Sequence, residues 1–211
     1  MIISYLDTLD SSQIYLKKSL QNQSIKAPHA VVCDIQTNGV GSRNNSWQGL
    51  KGNLFLSFAL PLKSLPSDLK LESASIYFSF IFKEVLNDLD SKVWLKWPND
   101  LYINNLKIGG MITNILDDNL VCGLGVNLVR APLQFASLDV SISRESLLEK
   151  YFKLIEKRLS WKQIFSKYKI EFEANKDFFT HKNSLKISLD KAILQSDGSL
   201  IINGERIYST R

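Results

Sequence analysis

The strongest constraint on the fold is a run of short apolar segments between Lys92 and Leu128, each ended by a turn signal. Residues 92–97 alternate, with aromatic and branched side chains, and Pro98 stops them. Residues 101–103 and 108–116 flank Asn104-Asn105, and Asp117-Asp118-Asn119 leads into 120–128. Connections this short allow only hairpins, so the segment reads as a meander of three short antiparallel strands. Gly109-Gly110 interrupts the central strand, which predicts either a bulge or a ligand approaching bare backbone.

The flanking sequence extends this sheet. Residues 1–9, 30–35 and 53–60 read as strands, the last with Leu54, Leu56, Phe58 and Leu60 on one side. Asp10-Ser11-Ser12-Gln13 precedes a partial helical stripe at Ile14, Tyr15, Leu16 and Leu20, so Asp10, Ser11 or Ser12 can cap a first helix. Residues 71–89 and 144–159 carry helical periodicity, and a further helix starts at Ser160 and runs to about Ala174. From 184 onward, short strand-like runs alternate with Asp and Gly turns, a β tail too small to stand alone. The order predicts an α+β fold: a mixed, largely antiparallel sheet with helices on one face. It divides into residues 1–180 and a small β subdomain at 181–211.

The chain has 211 residues, 45% hydrophobic and 22% charged, which excludes wholesale disorder. A net charge of +5 excludes an acidic mimic and permits an anionic ligand or a nucleic acid. The basic residues are dispersed and no nucleic-acid motif accompanies them, so no DNA partner is expected. Cys33 and Cys122 sit in apolar runs, as buried thiols do; with two histidines they are too few for most closed zinc sites. We expect no protein metal site, no membrane span, no signal peptide and a cytoplasmic location.

Three segments could carry chemistry. Gln36 to Gly52 is a polar loop holding Gly39, Gly41, Gly49 and Gly52, with Arg43, Lys51 and a lone large ring, Trp47. It is either an anion-cradling loop or a plain surface connection; it lacks the Gly-Lys-Ser/Thr ending of a phosphate loop. Lys96-Trp97-Pro98-Asn99-Asp100 fixes charges, an amide and an indole around a proline. Lys107 follows eleven residues after Lys96 and precedes Gly109-Gly110. That lysine either aims an ammonium at an anion or belongs to a salt-bridged surface hairpin. Gly123-x-Gly125-x-Asn127 marks a neighbouring strand; together the glycines leave a flat patch for a planar ligand or for a packed helix.

These residues resemble those of the biotin–protein ligases, in their short class without an N-terminal DNA-binding domain. The family's central signature stands here as Lys96-Trp97-Pro98-Asn99-Asp100 followed by Lys107-Ile108-Gly109-Gly110. Asp10-Ser11-Ser12-Gln13, Gln36-Thr37-x-Gly39-x-Gly41 with Trp47, and Gly123-x-Gly125-x-Asn127 are similar to three further family segments, in order. The resemblance implies a catalytic domain of the class II aminoacyl-tRNA synthetase type with a shortened SH3-like tail. It implies biotin, ATP and Mg²⁺ as reactants, formation of biotinyl-5′-AMP, and transfer to a lysine of a biotin carboxyl carrier domain. Monomers and homodimers both fit it.

By resemblance, Lys107 contacts the biotin carboxylate and the phosphate, Arg43 the phosphates, and Asp100 orients or deprotonates the incoming amine. Ser11, Ser12 and Gln36 would bond the ureido ring; Gly39, Gly109, Gly110, Gly123 and Gly125 would line its pocket. Trp47 would pack near adenine, Asn99 would hold the pocket turn, and Asn127 would serve the nucleotide. The sequence departs from the family at Ser42, where an arginine is expected, and in a loop with one arginine instead of several. The alternatives are a lipoate or octanoate ligase or transferase of the same fold, a nucleic-acid-binding protein and a non-catalytic relic that binds biotin or its carrier. The polar cluster Ser11, Ser12 and Gln36 speaks against a linear acyl substrate.

Overall fold

The computed structural model describes residues 1–41, 45–182 and 185–209. Strand β1 (Ile2–Leu9) passes through helix α1 (Ser12–Gln21) into β2 (His29–Gln36), which lies parallel to it. A two-residue hairpin, β3 (Gly39–Val40) with β4 (Ser46–Trp47), interrupts the path to β5 (Leu54–Pro61). Helix α2 (Ala74–Asn87) then leads to the meander: β6 (Trp94–Lys96), β7 (Asp100–Ile103), β8 (Leu106–Leu116) and β9 (Asn119–Val126). The seven-stranded sheet has the order β1-β2-β5-β9-β8-β7-β6 and is antiparallel except at β1–β2. The α+β expectation holds, and the meander includes β6 as a fourth strand.

Burial explains the elements. Val31 and its neighbours Ala30 and Val32 are all buried but belong to two separate clusters, as alternation along a strand requires. The larger cluster packs α2, α3 (Arg144–Glu156) and α4 (Trp161–Glu171) on one face. There Phe58 meets Phe78, Tyr151 and Phe152 edge-on at 5.5, 5.9 and 5.7 Å between ring centroids. The smaller cluster sets Leu16 of α1 against Val31, Ala59 and Val121 on the opposite face. The expectation of helices on one face is therefore corrected. Only α2–α4 share a face, because α1 is the crossover between parallel strands and covers the other.

Helix starts follow their caps. Ser11 accepts from Ile14 N, and Ser160 with Gln163 forms a reciprocal capping box. The tail comprises β10 (Phe179–Lys182) paired with β11 (Leu185–Ser188), then β12 (Ile193–Leu194), β13 (Leu200–Ile202) and β14 (Glu205–Ile207). Its Leu189, Ala192, Leu200, Ile202 and Ile207 join the larger core. Two indoles grip the turn before β13: Trp97 Nε1 donates to Gly198 O at 2.9 Å and Trp161 Nε1 to Ser196 O at 2.7 Å. Gly198 has φ +78°, which strains any side chain, and a Cβ there would be crowded, 3.0 Å from Ile76 and 3.1 Å from Trp161. Among the described residues no helix is long and apolar enough to cross a membrane.

Candidate active site

The chemistry-bearing residues converge on the α1 face of the sheet. A cleft is lined by Ser11, Ser12 and Gln13 of the α1 start, Gln36 of β2, Ser57 of β5, and Gly110, Ile112, Gly123 and Gly125 of β8 and β9. Trp47, Val40 and Gly41 close it from the loop, and Asn99, Asp100 and Lys107 stand at the meander side. The glycines face each other across the ladder: Gly110 pairs with Gly125, and Ile112 with Gly123.

At one end lies an ionic group. Lys107 Nζ is 2.6 Å from Asp100 Oδ1, and Lys96 Nζ is 3.9 Å from Asp100 Oδ2. Two ammonium groups share one carboxylate at a place where an anionic substrate could bind. Among the described residues lining the cleft, Lys107 is the one cation and Asp100 the one carboxylate. Lys107 Nζ is also 5.8 Å from the centre of the Trp47 ring.

The turn carrying Asp100 is braced from beneath. Trp97 N donates to Asn175 Oδ1 at 2.6 Å, Asn175 Nδ2 donates to Leu95 O, and Asn99 Nδ2 donates to Met111 O. Asn175 is fully buried. Nearby burial and the Asp100 charge push the Tyr102 hydroxyl up to about 12, so it stays protonated.

The other end is a hydrogen-bonding patch. Ser12 N and Oγ both donate to Gln36 Oε1, at 2.8 and 3.0 Å, and Ser12 Oγ lies 2.9 Å from Ser57 Oγ. Ser57 is a site residue that the sequence reading missed, although it left a signal: one hydroxyl in the apolar run Leu54-Phe55-Leu56-Ser57-Phe58.

Several expected residues lie elsewhere or play another part. Gly109 does not line the cleft; its Cβ would stand 2.7 Å from Gly125 O, so this glycine permits the close approach of β9. Gly39 likewise makes room for Gln36 Nε2 and the Trp47 carbonyl, at 2.9 and 2.5 Å from a built Cβ. Asn127 is buried, accepts from Asn53 Nδ2 and donates to Ala136 O. It lines a second, adjoining cleft with Trp47, Gln48, Pro132 and Phe135. Ser11 serves as helix cap as well as lining. Trp47 wedges between the two clefts, its ring 2.7 Å from where a Gly125 Cβ would be. Arg43 and the departing position Ser42 lie outside the described residues.

Residues 5–127 match the biotin/lipoate A/B protein ligase family, a span that contains every expected site residue. The chain belongs to that family. It is 29% identical over 133 residues to the bifunctional ligase/repressor BirA of Escherichia coli, covering 60% of this chain and 40% of that protein. Against the chloroplastic biotin–protein ligase 1 of Arabidopsis thaliana it is 31% identical over 147 residues, 60% of this chain and 39% of that one. The match thus spans about two fifths of these curated relatives' length. A crystal structure of the biotin acetyl coenzyme A carboxylase synthetase of Helicobacter pylori, with bound biotinylated ATP, superposes with a TM-score of 0.94. That chain is 40% identical, with 98% of each chain covered. The biotin protein ligase of Aquifex aeolicus, in complex with biotin and ATP, shares the fold at a TM-score of 0.80 and 23% identity.

Proposed function

We propose that the protein is an ATP-dependent biotin–protein ligase that forms biotinyl-5′-AMP and passes biotin to a lysine of a biotin carboxyl carrier domain. The observation that carries this reading is the Lys107–Asp100 pair beside the bare backbone of Gly110 and Gly125, with a polar patch at Ser12, Gln36 and Ser57 beyond. A linear acyl chain has no use for that patch; a ring carrying amide groups does.

In the first step a biotin carboxylate oxygen attacks the α-phosphorus of ATP and pyrophosphate leaves. Two anions must approach each other, and the Lys107 ammonium exchanges its Asp100 partner for them, offsetting the repulsion. Asp100 stays beside Lys96. In the second step the carrier amine attacks the anhydride carbonyl and AMP leaves; Asp100 orients that amine and takes its proton. Trp47 covers the cleft and fronts the second one, where Asn127 supports the nucleotide side. Arg43 adds charge for the phosphates.

Mg²⁺ enters as the ion of the ATP substrate. No cluster of three His, Cys, Asp or Glu side chains that could hold a metal occurs among the described residues, so phosphate oxygens would supply most ligands. The buried free thiols of Cys33 and Cys122 support a cytoplasmic location.

The test is an end-point reaction of purified protein with biotin, MgATP and a carrier domain, read by mass. An ATP-dependent gain of one biotin on the carrier is expected. Gain with lipoate instead of biotin, or none with either, overturns the reading.

A further inference from the structure

Strand β6 ends the seven-stranded sheet: β7 covers one of its edges, and among the described residues no strand covers the other. An open strand edge leaves backbone N–H and C=O groups that must be satisfied some other way. Here two side chains take the place of a neighbouring strand. Helix α4 runs directly into a 3₁₀ turn, Phe172–Asn175, and so brings Glu171 and Asn175 to β6. Leu95 N donates to Glu171 Oε1 at 2.6 Å, and Trp97 N donates to Asn175 Oδ1 at 2.6 Å. Asn175 Nδ2 donates back to Leu95 O at 3.3 Å. Glu171 is held in turn, its Oε2 lying 2.5 Å from Nζ of Lys83, a buried lysine of α2.

The stretch held in this way carries one arm of the ionic group. Leu95 and Trp97 belong to the larger core, so Lys96 between them turns to the opposite face. There its ammonium is 3.9 Å from Asp100 Oδ2 and 5.6 Å from the centre of the Tyr102 ring. Lys96 and Asp100 are also partners in the β6–β7 register. The backbone at 95–97 therefore fixes both the Lys96 ammonium and the start of the strand bearing Asp100. Lys107 is placed by other means, on β8 inside the sheet between β7 and β9. Glu171 and Asn175 lie outside residues 5–127, the span that the family match covers.

We infer that Glu171 and Asn175 are positioning residues for the transfer step: by holding the backbone at Leu95 and Trp97 they keep Lys96 on Asp100 Oδ2 when Lys107 leaves Oδ1 for the substrate anion. Asp100 then stays oriented for the incoming amine. The inference rests on the biotin reading above. It divides the two steps. Adenylate formation depends on Lys107, which these side chains do not hold. Transfer depends on Asp100, which they do. Side chains that merely protected a sheet edge would change stability and leave the ratio of the two rates alone.

The test measures the steps separately, well below each variant's unfolding midpoint. The first is read as pyrophosphate release with biotin and MgATP. The second is read as mass gain of a carrier domain given preformed biotinyl-5′-AMP, above the enzyme-free rate. Asn175→Leu and Glu171→Met remove the acceptors of Trp97 N and Leu95 N. In each, the transfer kcat should fall about ten- to hundredfold, with pyrophosphate release and the carrier KM within about threefold of wild type. Glu171→Gln keeps an acceptor while giving up the charge, and should restore transfer to within about threefold. Lys83→Met loses the same ion pair and should lower the unfolding midpoint without changing the ratio of the two rates. If Asn175→Leu does not fold, Glu171→Met set against Glu171→Gln decides. Wild-type transfer by Glu171→Met overturns the inference and leaves the biotin reading intact, as does an equal fall in both steps. A wild-type protein that moves no biotin from the adenylate to the carrier overturns both.

Discussion

The wall of the cleft made by β7, β8 and β9 and the wall made by the loop between β2 and β5 hold their residues by different means. On the first wall Lys107, Gly110, Gly123 and Gly125 are all members of two adjoining hydrogen-bonded ladders. The turn at its edge is pinned by Asn175, Gly198 and Met111. On the second, β3 and β4 contribute two residues each and pair only with each other. Such a hairpin is marginal by itself. Its described contacts with the sheet include the Trp47 ring, lying where a Gly125 side chain would be, and Gly39 close against Gln36 Nε2. Lys107 is thus placed by the fold, and the cover by side-chain contacts.

The comparison can be broken at its strongest point first. Replacing Lys107 with alanine removes the one cation of the described lining. Adenylate formation should fall about a hundredfold or more, close to 3 kcal/mol of transition-state stabilisation, while the unfolding midpoint holds. Pyrophosphate release at a near wild-type rate would remove Lys107 from the chemistry. Gly125→Ala is the matching change on the cover. Its Cβ would meet Trp47 Cε2 at 2.7 Å, and the side chain on the short hairpin gives way before the ladder does. Biotin and ATP KM values should rise about tenfold, with less effect on kcat. Unchanged KM values would mean that Trp47 does not dock the cover.

One substitution made twice sharpens the contrast. Trp97 donates its indole N–H to Gly198 O, whereas Trp47 Nε1 is buried with no partner among the described residues. Trp97→Phe leaves a buried carbonyl unsatisfied and should cost about 1–3 kcal/mol in urea unfolding. Trp47→Phe loses no hydrogen bond and should cost under about 1 kcal/mol. Equal losses in the two variants would erase the distinction between the walls.

The same contrast separates what could be read from the chain. Residues that act through near neighbours were legible: the turn around Pro98, the lysine eleven positions on, the glycine-marked strands and the Ser160 cap all show as local spacing. Contacts between distant segments leave no such spacing. The hydrogen bond from Trp97 to Gly198 joins residues 101 apart, and Gln13 reaches Asn114 across the same interval. Gly109 and Gly123 were legible as glycines but not by purpose. A strand pattern shows that backbone is bare; only the register shows whether a ligand, the neighbouring strand or the Gln13 amide fills the space. The parallel pairing of β1 with β2, and with it the placing of α1 on the far face, follows from the crossover and from no single residue.

The smallest expected effect concerns the hold on Gly198. Burial would raise the Asp197 carboxyl, but hydrogen bonds from Ser199 and the charges of Arg206 and Lys70 outweigh it and keep it below the ordinary carboxylate range. A folded-state value below the unfolded one stabilises the protein at pH values above about 4, where the unfolded chain is already ionised. That contribution is lost as pH falls through the folded value. Asp197→Asn keeps an acceptor for Ser199 and removes the charge facing Arg206, whose guanidinium is 3.0 Å away and 43% exposed. Exposure screens that pair, so the loss at pH 7 should be about 1 kcal/mol or less. The gap between wild type and variant in urea unfolding should be widest near neutrality and should close toward pH 3. A gap that stays constant over that range would mean that Asp197 supports the turn through its Ser199 hydrogen bonds alone. The turn that grips Trp97, and through it the wall of β7, β8 and β9, would then be indifferent to acid.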